Sequence, residues 1–339
     1  MSIQANINNN KSKISIEELK KETAKIDLVA EINRIKEQEN IIILAHYYQN
    51  STIQDLADFI GDSLDLSRKA SNNKAQKILF CGVKFMAEVA KILSPEKDVL
   101  IPDFNAGCSL ESSCPPKQFQ IFKNRYPQAI VISYINCSAK IKAMSDIIVT
   151  SSNAEKIINQ IPPEQQIIFA PDQHLGRYLA KKTNRELILW NGSCMVHEQF
   201  SEKELIRLSV AHPNALIIAH PECPEHLLNY ANHIGSTSSL LQFTKDHQGK
   251  EFIVLTEPQI LHQMKKGNPD GKFYDCKFID SAGCTLCNNC PHMQLNNIEK
   301  IYAVLKYGNN SPFGGLIELS DQEIADAKKP LIKMLEMSN

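Results

Sequence analysis

Ile41-Ile42-Ile43-Leu44-Ala45-His46-Tyr47-Tyr48 is one of three versions of a single pattern, the others being Ala129-Ile130-Val131-Ile132-Ser133-Tyr134-Ile135-Asn136 and Ala215-Leu216-Ile217-Ile218-Ala219-His220-Pro221-Glu222. Each is a continuous apolar run that ends in two polar side chains at i and i+2. A run without alternation reads as a strand covered by helices on both faces, the habit of parallel sheets. The period of two along a strand aims His46 and Tyr48 one way, and likewise Tyr134 with Asn136 and His220 with Glu222.

The likeness extends beyond the strands. A hydroxyl stands 17 positions after the first polar residue of each pair: Ser63, Ser151 and Thr237. Just before it the strings Ala57-Asp58-Phe59-Ile60-Gly61, Ser145-Asp146-Ile147-Ile148-Val149 and Ala231-Asn232-His233-Ile234-Gly235 agree in register. Helices are predicted ahead of the strands at Ile16 to Glu37, Lys117 to Arg125 and Glu202 to Ala211, with Ser15 and Ser201 as caps. Each copy then runs strand, helix, strand and ends in a glycine and a cysteine: Gly107-Cys108, Gly192-Ser193-Cys194, and Gly283-Cys284 leading to Cys287 and Cys290.

The predicted fold class is therefore α/β, with three pseudo-symmetric three-layer αβα units and parallel sheets around a central site. The boundaries read as a disordered segment 1–14, units at 15–110, 111–195 and 196–290, and a C-terminal helical segment 291–339 packing back on the body. Ligands of open α/β sheets bind at the carboxyl ends of strands, where helix N-termini offer donors to anions. Three such edges around a pseudo-threefold axis would bring the polar pairs and the cysteine loops to one point.

Among 339 residues, 43% are hydrophobic and the net charge is −1. That balance supplies no positive field to gather nucleic acid or acidic lipid, so neither is an expected partner. No apolar run approaches the roughly 20 residues of a membrane helix. Met1 to Lys13 is polar and Asn-rich, unlike the apolar core of a signal peptide, so a cytoplasmic location is expected.

Ten cysteines in a chain of this kind point to metal or redox chemistry rather than to a disulfide scaffold. Cys81, Cys137 and Cys276 lie in or beside apolar runs and are expected simply to be buried. One thiolate from each of three loops would leave one iron of a four-iron cluster without a protein ligand, free to act as a Lewis acid. Register with Cys108 selects Cys284 in the third copy. The array Cys284-x-x-Cys287-x-x-Cys290 also fits a zinc site, a radical-type cluster or a dithiol switch, which leaves the third ligand open.

The chain resembles the quinolinate synthase family from Ile41 to about Val304. The resemblance rests on Leu44-Ala45-His46-Tyr47-Tyr48-Gln49, Gly61-Asp62-Ser63-Leu64, Phe85-Met86-Ala87-Glu88, Thr150-Ser151-Ser152-Asn153-Ala154, Pro171-Asp172, His220-Pro221-Glu222-Cys223-Pro224 and Gly235-Ser236-Thr237. It implies condensation of iminoaspartate (iminosuccinate) with dihydroxyacetone phosphate to give quinolinate, in de novo NAD biosynthesis. It implies one [4Fe-4S] cluster per chain on Cys108, Cys194 and Cys290, the last because Pro291 follows it. It further implies Cys284 and Cys287 as a pair able to form an accessory disulfide, and an L-aspartate-oxidising enzyme as the supplier of iminoaspartate.

The same resemblance puts His46, Ser63, Tyr134, Asn136, Ser151, His220, Glu222 and Thr237 around the substrate, the positions the repeat selects on its own. Such groups hold carboxylates without a large fixed charge. Glu222 and Tyr48 are the candidates for moving protons, with His220 and His46 as helpers or phosphate binders. For Ser63, Ser151 and Thr237 the competing use is helix capping. His174, His197 and His226 are expected to be structural or solvated, with His197, just after Cys194, the best exception. Lys20 to Lys36 reads as a solvated helix face, and Asp321 to Met337 as a helix packed on the body. Two rivals stand beside this reading: an enzyme cleaving S-adenosylmethionine on a three-cysteine cluster, as in diphthamide synthesis, and a non-catalytic zinc or redox module on the terminal array.

Overall fold

The three apolar runs become the first strands of three sheets in the computed structural model, which describes residues 13–279, 285–286 and 288–338. The first sheet holds β1 (Ile41–His46), β2 (Phe59–Gly61), β3 (Lys77–Cys81) and β4 (Asp98–Ile101). The second holds β5 (Ile130–Tyr134), β6 (Ile147–Val149), β7 (Ile167–Ala170) and β8 (Ile188–Leu189). The third holds β9 (Leu216–Ala219), β10 (His233–Ile234), β11 (Glu251–Leu255) and β12 (Lys272–Asp275). These strands pair in parallel and in one repeated order: β2-β1-β3-β4, β6-β5-β7-β8 and β10-β9-β11-β12. The chain is thus an α/β protein of several parallel sheets flanked by helices.

The strings that agree in register have a shared structural task. Asp58 accepts the Ile43 N–H on its carboxylate at 2.7 Å and returns its own N–H to the Ile43 carbonyl at 2.9 Å. Asp146 does the same with Val131 (2.7 and 2.9 Å), and Asn232 with Ile217 (2.8 and 2.7 Å). In each sheet this residue stands one position before the short second strand. Its side chain supplies the acceptor that strand is too short to offer, adding a rung to the ladder.

The helix predicted over Ile16 to Glu37 is two helices, Ile16–Thr23 and Leu28–Glu39. Asp27 captures the Ala30 N–H at 3.1 Å and starts the second one afresh. Glu22 meanwhile accepts hydrogen bonds from Tyr302, Lys306 and Tyr307, which fixes the first helix to the C-terminal segment. The Ile14 N–H donates to the Asn310 carbonyl at 3.1 Å.

After β12 the chain forms a small antiparallel hairpin, β13 (Phe278–Ile279) with β14 (Thr285–Leu286). The short strand β15 (Gly315–Leu316) then pairs antiparallel with β4 and covers the edge of the first sheet. The last helix, Asp321–Met337, lies on the helices Ala139–Ala143 and Lys84–Leu93, so it binds the first and second units together. Its Leu331 and Met334 join one continuous core with Leu44, Phe85, Ile132 and Phe169. Among the described residues no helix is long and apolar enough to cross a membrane.

The three units also meet at a polar point. Asp62 caps the helix Ser63–Asn72 through the N–H groups of Leu64 and Asp65, both at 3.0 Å. Its other oxygen accepts from Ser152 of the second unit at 2.7 Å and Ser238 of the third at 2.9 Å.

Candidate active site

The carboxyl ends of the three sheets open onto one cavity. Its walls include His46, Tyr48 and Ser63 from the first unit, Tyr134, Asn136 and Ser151 from the second, and His220, Glu222 and Thr237 from the third. Cys108, Cys194 and Cys290 line the same cavity as these strand-end and hydroxyl positions. Cys284 and Cys287, the rival ligand and the candidate disulfide pair, lie outside the described residues.

The hydroxyls are not caps. Asp62 and Ser236, each one residue earlier, cap the helices that Ser63 and Thr237 begin, and Ser151 sits in a turn ahead of the helix Ala154–Ile158. The strand-end pairs share a local geometry too. The Tyr48 N–H donates to His46 Nδ1 at 3.2 Å and the Glu222 N–H to His220 Nδ1 at 3.4 Å. An Nδ1 that accepts leaves the ring proton on Nε2 as a donor. Burial pushes His46 down to about 4 and His220 down to about 3, so both rings are neutral at pH 7.

Glu222 is the hub of a buried network. Burial opposes its ionisation, but His197 and His220 beside it, together with the bonds it accepts from His197 and Tyr134, hold its carboxyl well below the usual range. Tyr134 donates to Oε1 at 2.6 Å, and His197 Nδ1 lies 2.9 Å from Oε2. His197 Nε2 reaches Thr256 Oγ1 at 3.0 Å, and the Tyr48 hydroxyl meets that same oxygen at 2.6 Å. Burial, and next the Glu222 charge, push the Tyr48 and Tyr134 phenols well up. Tyr48 and Glu222, on opposite units, are therefore joined by hydrogen bonds through Thr256 and His197.

His197 is the exception among the three other histidines: it is buried in this wall, stacked on His220 with centroids 4.8 Å apart. His226 is exposed, and His174 packs within the helix Gln173–Thr183. Thr256 and Glu257 were not selected from the sequence. They follow the apolar run Glu251–Leu255, and a search for polar residues after the third strand of each unit would have found them. Glu257 accepts the N–H of Cys290 at 3.2 Å and of Gln259 at 2.8 Å, and burial raises its carboxyl to about 8.

The three cysteines have one local geometry. Each begins a helical turn, its carbonyl accepting the N–H four residues on: Ser112 to Cys108 at 3.0 Å, Glu198 to Cys194 at 3.0 Å, Gln294 to Cys290 at 3.1 Å. Backbone N–H groups point at each sulfur, from Glu111 and Leu110, from His197, and from Met293 and His292. Burial pushes all three thiols up, Cys290 to about 11. Donors arranged for thiolates in a place too dry for bare thiolates fit a bound metal, whose charge stabilises the deprotonated sulfurs. Cys194, His197 and Glu222 also offer donor atoms within 4.8 Å of one another. Gly192 permits this packing, since a Cβ there would lie 2.3 Å from Ser113 Oγ and 2.5 Å from the Pro171 carbonyl oxygen. Cys81, Cys137 and Cys276 are fully buried away from the cavity.

A cavity walled by three α/β units with parallel sheets, with Tyr48 and Glu222 linked by hydrogen bonds beside three cysteines suited to metal, is the architecture of an α/β enzyme. The family model described as Quinolinate synthetase A protein matches residues 30–336, and the chain belongs to that family. It is 55% identical to a quinolinate synthase of Ehrlichia chaffeensis, over 94% of this chain and 100% of the relative. It is 55% identical to one of Trichormus variabilis (93% and 94%) and 53% identical to one of Synechocystis sp. (94% and 97%).

Proposed function

We propose that the chain condenses iminoaspartate with dihydroxyacetone phosphate to quinolinate in NAD biosynthesis, in the cytoplasm, with one [4Fe-4S] cluster held by Cys108, Cys194 and Cys290. The products balance as quinolinate, one phosphate and two waters, so no external oxidant or reductant is needed. When bound, the cluster supplies an iron without a protein ligand, a Lewis acid for dehydration. The observation that carries the reading is the shared geometry of the three cysteine turns, opening on one cavity with the polar strand ends.

The cavity wall, among the described residues, contains no lysine or arginine. Two carboxylates of iminoaspartate are then met by neutral donors: the Nε2–H groups of His46 and His220, the hydroxyls of Ser63, Ser151 and Thr237, and the Asn136 amide. Asn136 Oδ1 is buried without a partner among the described residues, as an atom awaiting a ligand donor would be. Glu222, held ionised, is suited to accept a proton, and Tyr48, held protonated, to donate one; Thr256 and His197 link the two. Iminoaspartate would come from an L-aspartate-oxidising enzyme.

The test is an anaerobic assay of quinolinate formation by the iron-loaded protein and its Glu222→Gln variant. The expected result is product from the parent and iron retained without turnover in the variant. Iron-loaded parent protein that yields no product would discard these substrates, and unchanged turnover in Glu222→Gln would remove Glu222 from the chemistry.

A further inference from the structure

Tyr48 and Asn136 each stand on a short loop just past a strand end, and a loop does not by itself hold a side chain to within the fraction of an ångström that catalysis needs. Both loops are gripped in the same way. Eight residues after His46 comes Gln54, whose amide nitrogen donates to the carbonyls of Tyr47 at 2.9 Å and Gln49 at 2.7 Å. Eight residues after Tyr134 comes Lys142, whose ammonium donates to the carbonyls of Ile135 at 2.9 Å and of Cys137. The acceptors are the same register positions in both units, and they bracket the strand-end pair's second member.

Both donors are buried, Gln54 at 1% exposure and Lys142 at 0%. A lysine with no exposed surface is a costly group to keep unless its charge is used. The Gln54 amide is itself oriented, since its oxygen accepts from Gln263 at 2.9 Å, which turns the nitrogen toward the loop. In the third unit the equivalent position is Leu228, which has no donor. There the loop around Glu222 carries Pro221 and Pro224, whose rings restrict the backbone covalently.

We propose that Gln54 and Lys142 are positioning residues, a clasp used in two units to aim Tyr48 and Asn136 into the cavity, and replaced by prolines in the third. The inference rests on the reading that Tyr48 and Asn136 face the substrate. Removing a clasp releases the two loop carbonyls, and for Gln54 also the Gln259 carbonyl it reaches at 3.0 Å, and lets the bracketed side chain swing, while leaving every cavity-lining group in the chain.

The test is a pair of double-mutant cycles on quinolinate formation, Gln54→Met with Tyr48→Phe and Lys142→Met with Asn136→Ala, made on proteins of parental iron content and circular dichroism. Each clasp variant alone should lower kcat by about 10- to 100-fold with KM changed far less. In the Tyr48→Phe background Gln54→Met should cost almost nothing more, because the group it aims is already gone. Losses that multiply, or a Gln54→Met protein with parental kcat, overturn the clasp. Lys142→Gln, which supplies the donor the first unit uses, should recover most of what Lys142→Met loses; equal loss in both refutes the assignment. If Lys142→Met does not fold, the Gln54 cycle decides. Parental turnover in Tyr48→Phe would instead sink the functional reading, a result separate from failure of the clasp.

Discussion

Asp62 joins the three units at one carboxylate, and replacing it by alanine gives a loss whose size follows from its contacts. Removing the cap of the helix Ser63–Asn72 costs about 1 kcal/mol. The Ser152 hydroxyl loses a bond to a charged acceptor, about 2 kcal/mol, and Ser238 loses about half that, since it keeps Asp65 at 3.1 Å. The total is about 4 kcal/mol. With an unfolding entropy of about 2 cal/mol/K per residue, that lowers Tm by roughly 6 °C if the chain unfolds in one transition. The control is Asp27→Ala, which removes a single exposed cap within one unit and should cost about 1 kcal/mol, or 1–2 °C. Calorimetry on the three proteins decides it. An Asp62→Ala loss no larger than that of Asp27→Ala would refute the idea that this carboxylate binds the units together.

Three other perturbations follow from the cavity. His197→Ala removes the neighbour that most lowers the Glu222 carboxyl and leaves only His220 and the Tyr134 bond to oppose burial, so the acid limb of the kcat/KM profile should move to higher pH; an unmoved limb would separate His197 from Glu222. His46 and His220 stay neutral in the fold, at about 4 and about 3, while the unfolded chain protonates them near 6.5. Their stabilisation is complete above about pH 6.5 and is lost as pH falls toward 4, by about 2 kcal/mol for each between pH 6.5 and 5, so His46→Gln should show a shallower acid loss in denaturant titrations than the parent. Gly192→Ala forces a Cβ against Ser113 and the Pro171 carbonyl and must shift the loop that carries Cys194; iron content should fall, and parental iron with parental Tm would show the loop tolerates it.

The fold was legible because a strand covered on both faces writes its burial into consecutive residues, and because three copies carry the same spacing. The in-register Asp58, Asp146 and Asn232 were visible as a pattern, but their use as an added ladder rung was not. A side-chain bond to a backbone 15 residues back leaves no composition signal. The break between Ile16–Thr23 and Leu28–Glu39 was missed because Asp27 within a charged stretch reads as another solvated residue until its carboxylate is seen on Ala30. At the site, strand-end residues were found through register. Thr256 and the role of His197 were not, since the network from Tyr48 to Glu222 joins segments that come together only when the units assemble. Register selects Cys284 for the third cysteine, which lies outside the described residues; the turn geometry of Cys290 matches that of Cys108 and Cys194.

The most direct measurement is iron and sulfide content of anaerobically purified parent protein beside its Cys108→Ala, Cys194→Ala and Cys290→Ala variants. A cluster shared by three loops predicts about four irons and four sulfides per parent chain and loss of the cluster in every variant. Full iron in any one of the three, or a single zinc with no iron in the parent, would contradict it.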